Sequence, residues 1–227
     1  IGNTLAVALQ NSGLRVVSIE SQSASISVAK GRAYVISMLS GRIFAGLGIW
    51  NQVLPQVTQF SQIQISDADH AGVVKLYPQD LGTETLGYAA SHEVLLRALQ
   101  DKLHAAANIT VMCPAQVVGV EYTDTGAEIT IQTPDTDRPT TIRASLVIAA
   151  DGAKSSLRTQ AGIQTSGWNY WQSCITATIK PEKPHQNIAY ERFWYAGPIG
   201  VLRLADGRCQ VVWPAPHQQA EELRDLP

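Results

Sequence analysis

Leu146 to Arg158, LVIAADGAKSSLR, constrains the chain more than any other stretch. An apolar run without alternation stops at Asp151-Gly152 and gives way to a polar, helix-like start. Leu146, Val147, Ile148, Ala149 and Ala150 match a strand covered on both faces in an α/β sheet. Gly152 permits backbone angles closed to other residues, and Ser155 or Ser156 is placed to cap the turn that follows. Lys154 and Arg158 bring positive charge to the same place. On these residues alone the segment reads either as a ligand-binding loop or as an ordinary strand-to-helix turn.

The N-terminal stretch narrows the choice. Ile1 to Ser12 carries Leu5, Ala6, Ala8 and Leu9 at helical spacing, and Gly13 stands where a helix stops. Leu14 to Glu20, LRVVSIE, is a short β-branched strand closing in an acid. Helix, glycine, strand and acid in that order form the second half of a dinucleotide-binding βαβ unit, where the terminal carboxylate accepts hydrogen bonds from a ribose. By residue type alone, Gly2 and Glu20 also fit a plain helix start and a solvated strand end.

The remaining elements follow from periodicity. A helix is predicted over Ile36 to Leu47, ending at Gly48, and an amphipathic helix over Ser91 to Leu103 with Val94, Leu95, Ala98, Leu99 and Leu103 on one face. Ser21 to Lys30 has no period and reads as loop. Phe60 to Asp67 alternates like a half-exposed strand, with Val73 to Tyr77 as its partner. Ile109 to Met112, Ala115 to Tyr122 and Ala127 to Gln132 read as a small meander, broken at Pro114 and at Asp124-Thr125-Gly126. Ser173 to Lys180, Ala189 to Trp194, Gly200 to Leu204 and Gln210 to Trp213 read as an antiparallel sheet. The final AEELRDLP begins like a helix.

DGAKSSLR resembles the DG motif, DGxxSxxR, of the flavoprotein aromatic hydroxylases. The stretches LGYAASHEVLLRAL and YERFWYAGPIGVLRLADGRCQVVW are similar to the quinone-biosynthesis branch, the ubiquinone hydroxylase (UbiH/Coq6-like) family, and the resemblance covers nearly the whole chain. It implies an α/β architecture: an FAD/NAD(P)-binding, Rossmann-like three-layer domain with an antiparallel substrate sheet. The expected division is 1–51 with 88–163 for an incomplete FAD-binding domain, and 52–87 with 164–227 for an incomplete substrate-binding sheet.

The same resemblance assigns roles. Gly2 matches the last glycine of a GxGxxG motif and Glu20 the ribose acid. Arg32, in an Arg-Ala pair, lies near the flavin nucleotide, where its fork of donors suits phosphate. Glu93 stands where the family places Arg or Gln to hold the pyrophosphate, an exchange that weakens FAD binding. The backbone at Val117 meets the adenine, and Asp151 and Gly152 lie between the flavin and the nicotinamide path. The implied cofactors are FAD and NAD(P)H, and the implied reaction is hydroxylation of an aromatic ring on a prenylated quinone precursor, with dioxygen. A soluble phenol hydroxylase, an isoprenoid reductase and an inert truncated module remain alternatives. The family's strand and glycine turn before Gly2, and its second flavin-contacting segment after Pro227, are not in this chain. As given, it is therefore expected to hold FAD weakly, to expose Val16, Val17, Val147 and Ile148, and to be inactive.

Composition excludes other classes. A net charge of −2 offers no electrostatic case for nucleic acid. Cys113, Cys174 and Cys209 are widely spaced and lack clustered histidines, so neither a disulfide framework nor a metal site is expected, and a reducing compartment fits. No run approaches the roughly 18 apolar residues of a membrane span. The expectation is a cytoplasmic protein, peripheral to a membrane at most, with its oligomeric state open and no catalytic side chain singled out.

Overall fold

The computed structural model describes residues 1–23, 31–184 and 186–224. Most of the loop expected over Ser21 to Lys30 falls outside them. The chain divides into two compact units, Ile1–Ala29 with Leu99–Gly167 and Lys30–Ala98 with Trp168–Pro227.

The first unit opens with helix α1 (Gly2–Ala8) and strand β1 (Val16–Ile19). Strand β1 pairs in parallel with β7 (Ile109–Met112), from Val16↔Ile109 to Ile19↔Met112. Asn108 joins the helix end to the strand start, its side-chain amide donating to the carbonyls of Leu9 at 2.9 Å and Leu14 at 2.8 Å. β8 (Gln116–Thr123), β9 (Gly126–Gln132) and β10 (Thr140–Ala144) form an antiparallel meander with β9 in the centre. The alternation of GAEITIQ buries Ala127, Ile129 and Ile131 on one face. Ile19, Met112, Val117, Val120, Ile142 and Val147 pack against that core. Ile109 to Met112, expected in the meander, belongs instead to the parallel pair.

The stretch Leu146 to Ala150 differs from its sequence expectation. It forms no strand, and among the described residues no strand pairs with it. Only Val147 reaches the core, while Leu146 is 75% and Ile148 53% exposed. Glu20 and Asp151 therefore do not share the edge of one mainly parallel sheet. Among the described residues of the first unit, parallel pairing is limited to β1 and β7. An apolar run is buried on both faces only where neighbours cover both, and here the meander covers one. Val17 is exposed as well, as the sequence led one to expect.

In the second unit, β2 (Ala33–Ile36), β6 (Tyr88–Ser91) and β3 (Thr58–Gln59) form a small sheet with β6 between the other two. Ile36 thus ends a strand rather than starting a helix. Helix α2 (Met38–Gly46) follows, with Ser37 as its cap accepting from the Ser40 N–H at 3.1 Å. Helix α3 (Trp50–Val53) comes next. A side chain at Gly41 of α2 would meet Trp50 at 3.2 Å and Tyr88 at 3.3 Å, so only glycine lets the helix lie this close.

The larger sheet of this unit has six strands in the order β11 (Gln172–Ile179), β14 (Cys209–Pro216), β13 (Gly197–Arg203), β12 (Ile188–Trp194), β4 (Gln62–Asp67), β5 (Val73–Leu76). Every pairing is antiparallel except β4 with β12, where Ile188↔Gln62 to Phe193↔Asp67 run in parallel. Helix α6 (His217–Arg224) packs on β11 and β14.

The seams of the two units differ from the boundaries expected from sequence, because residues 30–51 and 88–98 lie in the second unit with the strands of the large sheet. Hydrogen bonding explains the shift. Strand β6 bonds to both β2 and β3, and the Phe60 N–H donates to the Gly87 carbonyl at 2.9 Å. Phe60, Ala89 and Ala189 then bury one another, joining the small sheet to the large one. The boundary falls inside helix α4 (His92–Ala105).

Candidate functional site

Asp151 and Gly152 open a capped turn. Gly152 adopts φ +88°, a left-handed conformation that favours glycine. Helix α5 (Ser156–Gln160) follows, capped by Ser155, whose hydroxyl oxygen accepts from the Arg158 N–H at 3.0 Å. The same hydroxyl donates to the Asp151 carboxylate, which also accepts from the Leu157 N–H at 3.4 Å. The Ser155 hydrogen bond is the main cause, and it holds the Asp151 carboxyl below the usual carboxylate range. Arg158 turns back to donate to the Ala153 carbonyl at 3.1 Å. Charge at this turn is used first to build the turn.

Gly2 begins α1 against Ala150, the residue before Asp151. A side-chain carbon on Gly2 would lie 3.3 Å from the Ala150 Cβ. Glu20 follows β1, and the β1–β7 pairing continues through its backbone, since its N–H donates to the Met112 carbonyl and its carbonyl accepts from Ala115. One carboxylate oxygen accepts from the Gln22 N–H at 2.8 Å, leaving the other available to a hydroxyl. The bond to Ala115 brings the end of β1 beside the start of β8. There Val117 sits on the outer strand of the meander, at a bulge between Val117 and Gly119, with its side chain on the core. The first unit thus brings Gly2 against the residue before Asp151, and Glu20 beside the strand of Val117. No hydrogen bond among the described residues joins the one group to the other.

Arg32 and Glu93 are brought together in the second unit. Ala33 pairs with Ser91, and the His92 N–H donates to the Arg32 carbonyl at 2.7 Å, so Arg32 lies beside the first turn of α4. Tyr34 Oη and His92 Nδ1 approach to 3.1 Å. The Arg32 guanidinium is exposed and has no partner among the described residues. Glu93 faces Arg97 one turn on, with Oε1 accepting from Nε and Nη2, each at 2.9 Å. The charge expected to oppose phosphate is thereby offset by a neighbour that sequence reading passed over, although the spacing i,i+4 signals it.

A second group lies in the stretch expected on the substrate side, where no individual site residue was singled out by sequence. The turn between β4 and β5, with Arg192 of β12, lines a cavity of about 370 Å³. Asp67 accepts from the Asp69 N–H at 2.8 Å and contacts His70 Nδ1 at 3.1 Å, and these bonds hold its carboxyl below the usual range. Among the described residues no cluster of His, Cys, Asp and Glu is arranged to hold a metal ion.

A parallel β1–β7 pair flanked by α1, with a meander on one side and an antiparallel-rich sheet in the second unit, is an arrangement this chain shares with flavin-dependent monooxygenases of known structure. It matches the crystal structure of p-nitrophenol 4-monooxygenase PnpA from Pseudomonas putida with a TM-score of 0.84 at 18% identity, over 99% of this chain and 58% of that one. It also matches the flavin-dependent monooxygenase PieE in complex with FAD and substrate, with a TM-score of 0.79 at 18% identity, over 95% and 41%. The chain belongs to the FAD binding domain family, whose model matches residues 1–198.

Three curated relatives span the chain. An uncharacterized Synechocystis protein, slr1300, is 39% identical over all of this chain and 54% of its own length. The ubiquinone hydroxylase UbiL of Rhodospirillum rubrum is 28% identical over 97% and 54%. The 3-demethoxyubiquinol 3-hydroxylase of Escherichia coli is 29% identical over 100% and 58%. The chain spans about half the length of these relatives.

Each unit, taken by itself, offers a group whose donor or acceptor chemistry suits part of a dinucleotide. An unpaired guanidinium beside the start of a 14-residue helix suits phosphate, and a carboxylate with a spare oxygen at a strand end suits a ribose.

Proposed function

We propose that the protein hydroxylates an aromatic ring of a prenylated quinone precursor, using FAD, NAD(P)H and dioxygen. The observation that carries this reading is the relatedness, along the whole chain, to proteins named as a ubiquinone hydroxylase and a 3-demethoxyubiquinol 3-hydroxylase. FAD, when bound, supplies the oxygen activation, and the protein supplies binding, orientation and exclusion of water. In this reading Glu20 accepts a ribose hydroxyl, the outer edge of β8 at Val117 meets the adenine, and Arg32 donates to the pyrophosphate. Asp151 and Gly152 shape the turn past which the nicotinamide reaches the flavin, Gly152 by leaving its side open.

The six-stranded sheet provides the substrate side, with the cavity at Asp67, His70 and Arg192 on it. The partner is a small prenylated molecule, so the protein works in peripheral contact with a membrane. The test is a product assay. Protein of the relatives' length is supplied with FAD, NADPH and either prenylated or unprenylated phenols, and the products are identified by mass. Hydroxylation confined to unprenylated phenols would overturn the substrate class, and NADPH oxidation without an oxygenated product would overturn the reaction.

A further inference from the structure

Helix α2 carries its large aliphatic side chains on the wrong side for a helix that only completes a core. Its inner face is Gly41, against Trp50 and Tyr88, with Phe44 stacked on Trp50 at 6.4 Å between ring centroids. Leu39 and Ile43, one turn apart, are 61% and 51% exposed. Arg42 and Gly46 share their face by helical spacing and are exposed as well. A short helix normally turns such residues inward, because taking them out of water stabilises the fold.

The sequence on either side of this face is one-sided in charge. From Ser21 to Ser66 the sequence contains no Asp or Glu, although the chain as a whole has 19, and it contains Lys30, Arg32 and Arg42. Arg42 has no partner among the described residues. Exposed aliphatics beside a lone cation, in an acid-free segment, complement an anionic lipid surface. The aliphatic side chains enter the headgroup boundary while the guanidinium stays at the level of the phosphates.

We propose that the Leu39–Arg42–Ile43 face of α2 is the membrane-docking surface of this protein. The inference rests on the membrane contact proposed above and names the face that makes it. It draws on neither the flavin nor the hydroxylation.

The experiment is flotation of protein of the relatives' length with vesicles of phosphatidylcholine alone, or of phosphatidylcholine mixed with phosphatidylglycerol. The chain is expected to float with the anionic vesicles and to be released by salt. The Leu39→Ser/Ile43→Ser pair and Arg42→Glu are each expected to lower the bound fraction by about tenfold. Val74→Ser, which removes an exposed aliphatic from β5, is expected to change nothing. Melting temperatures of all variants serve as the folding control, because the altered side chains are exposed.

Binding that is equal for wild type and α2 variants would overturn the face while leaving membrane contact standing. No binding to either vesicle would overturn both. A chain that is dimeric in solution and becomes monomeric in the Leu39→Ser/Ile43→Ser pair would show that the face covers a second copy instead.

Discussion

The backbone N–H of His92 donates to the carbonyl of Arg32 at 2.7 Å. Residues distant in sequence are thereby held at one place, the end of the β2–β6 pairing and the first turn of α4. The guanidinium of Arg32 is left without a protein partner among the described residues, and its backbone is fixed.

Arg32→Met is therefore expected to weaken FAD binding by roughly ten- to a hundredfold, the loss of a charge-assisted hydrogen bond to phosphate. Arg32→Lys should recover part of the loss, because it keeps the charge and gives up the fork of donors. Flavin fluorescence titrations on the three proteins decide the matter. Equal affinities would remove Arg32 from the site.

Glu93 and Arg97 make opposite predictions on one helix. Glu93→Gln frees Arg97 and is expected to tighten FAD by up to about tenfold, whereas Arg97→Gln leaves an unpaired acid and is expected to loosen it by a similar factor. Both groups are more than half exposed, so their mutual pair is worth only about 0.3–0.5 kcal/mol to folding, and melting temperatures should barely move. Affinity changes of the same sign in both variants would show that α4 does not face the phosphates.

The Asp151 turn has a pH signature. Its carboxyl is depressed in the folded protein, chiefly by the Ser155 hydroxyl, from a reference value of 3.8. Its contribution to stability is therefore fully present above that value and is lost as pH falls through the lower folded value. The stability difference between wild type and Asp151→Asn is expected to be constant from neutral pH down to the reference value, and to shrink below it. It should be small, about 0.5 kcal/mol at most, since the group is well solvated. Ser155→Ala, which removes the helix cap as well, is expected to cost about 1 kcal/mol at neutral pH in urea unfolding.

Gly126 is the glycine of the β8–β9 turn, at φ +153°. A side-chain carbon there would overlap the Ala144 carbonyl and crowd the Ser145 Cα, and all three contacting atoms are backbone that has no rotamer to yield. Gly126→Ala is expected to destabilise the first unit by about 2 kcal/mol or more. Urea unfolding followed by hydrogen exchange of the β9 amides reads this directly. A shift under half that size would mean that β10 moves aside without cost.

The local sequence determined those features whose causes lie within a few residues. Alternation in GAEITIQ buries Ala127, Ile129 and Ile131. The strands from Gln172 to Pro216 follow their turn residues, and Ser155 caps the turn after Asp151-Gly152. The resemblance carried by DGAKSSLR pointed to the flavin-binding family. What lies across long separations was decided only by tertiary structure. Leu146 to Ala150 has the composition of a doubly covered strand, yet composition states a demand for neighbours and does not supply them, so Leu146 and Ile148 stand exposed. The parallel pairing of β4 with β12 and the placing of β7 beside β1 are choices among strands of similar composition, which only the shared packing of Phe60, Ala89 and Ala189, and of Ile19 and Met112 on Ile129 and Ile131, can make. The same holds for Arg32, which by residue type is any exposed arginine. The resemblance had already marked it for phosphate, and backbone hydrogen bonds between β2, β6 and α4 place it beside a helix start.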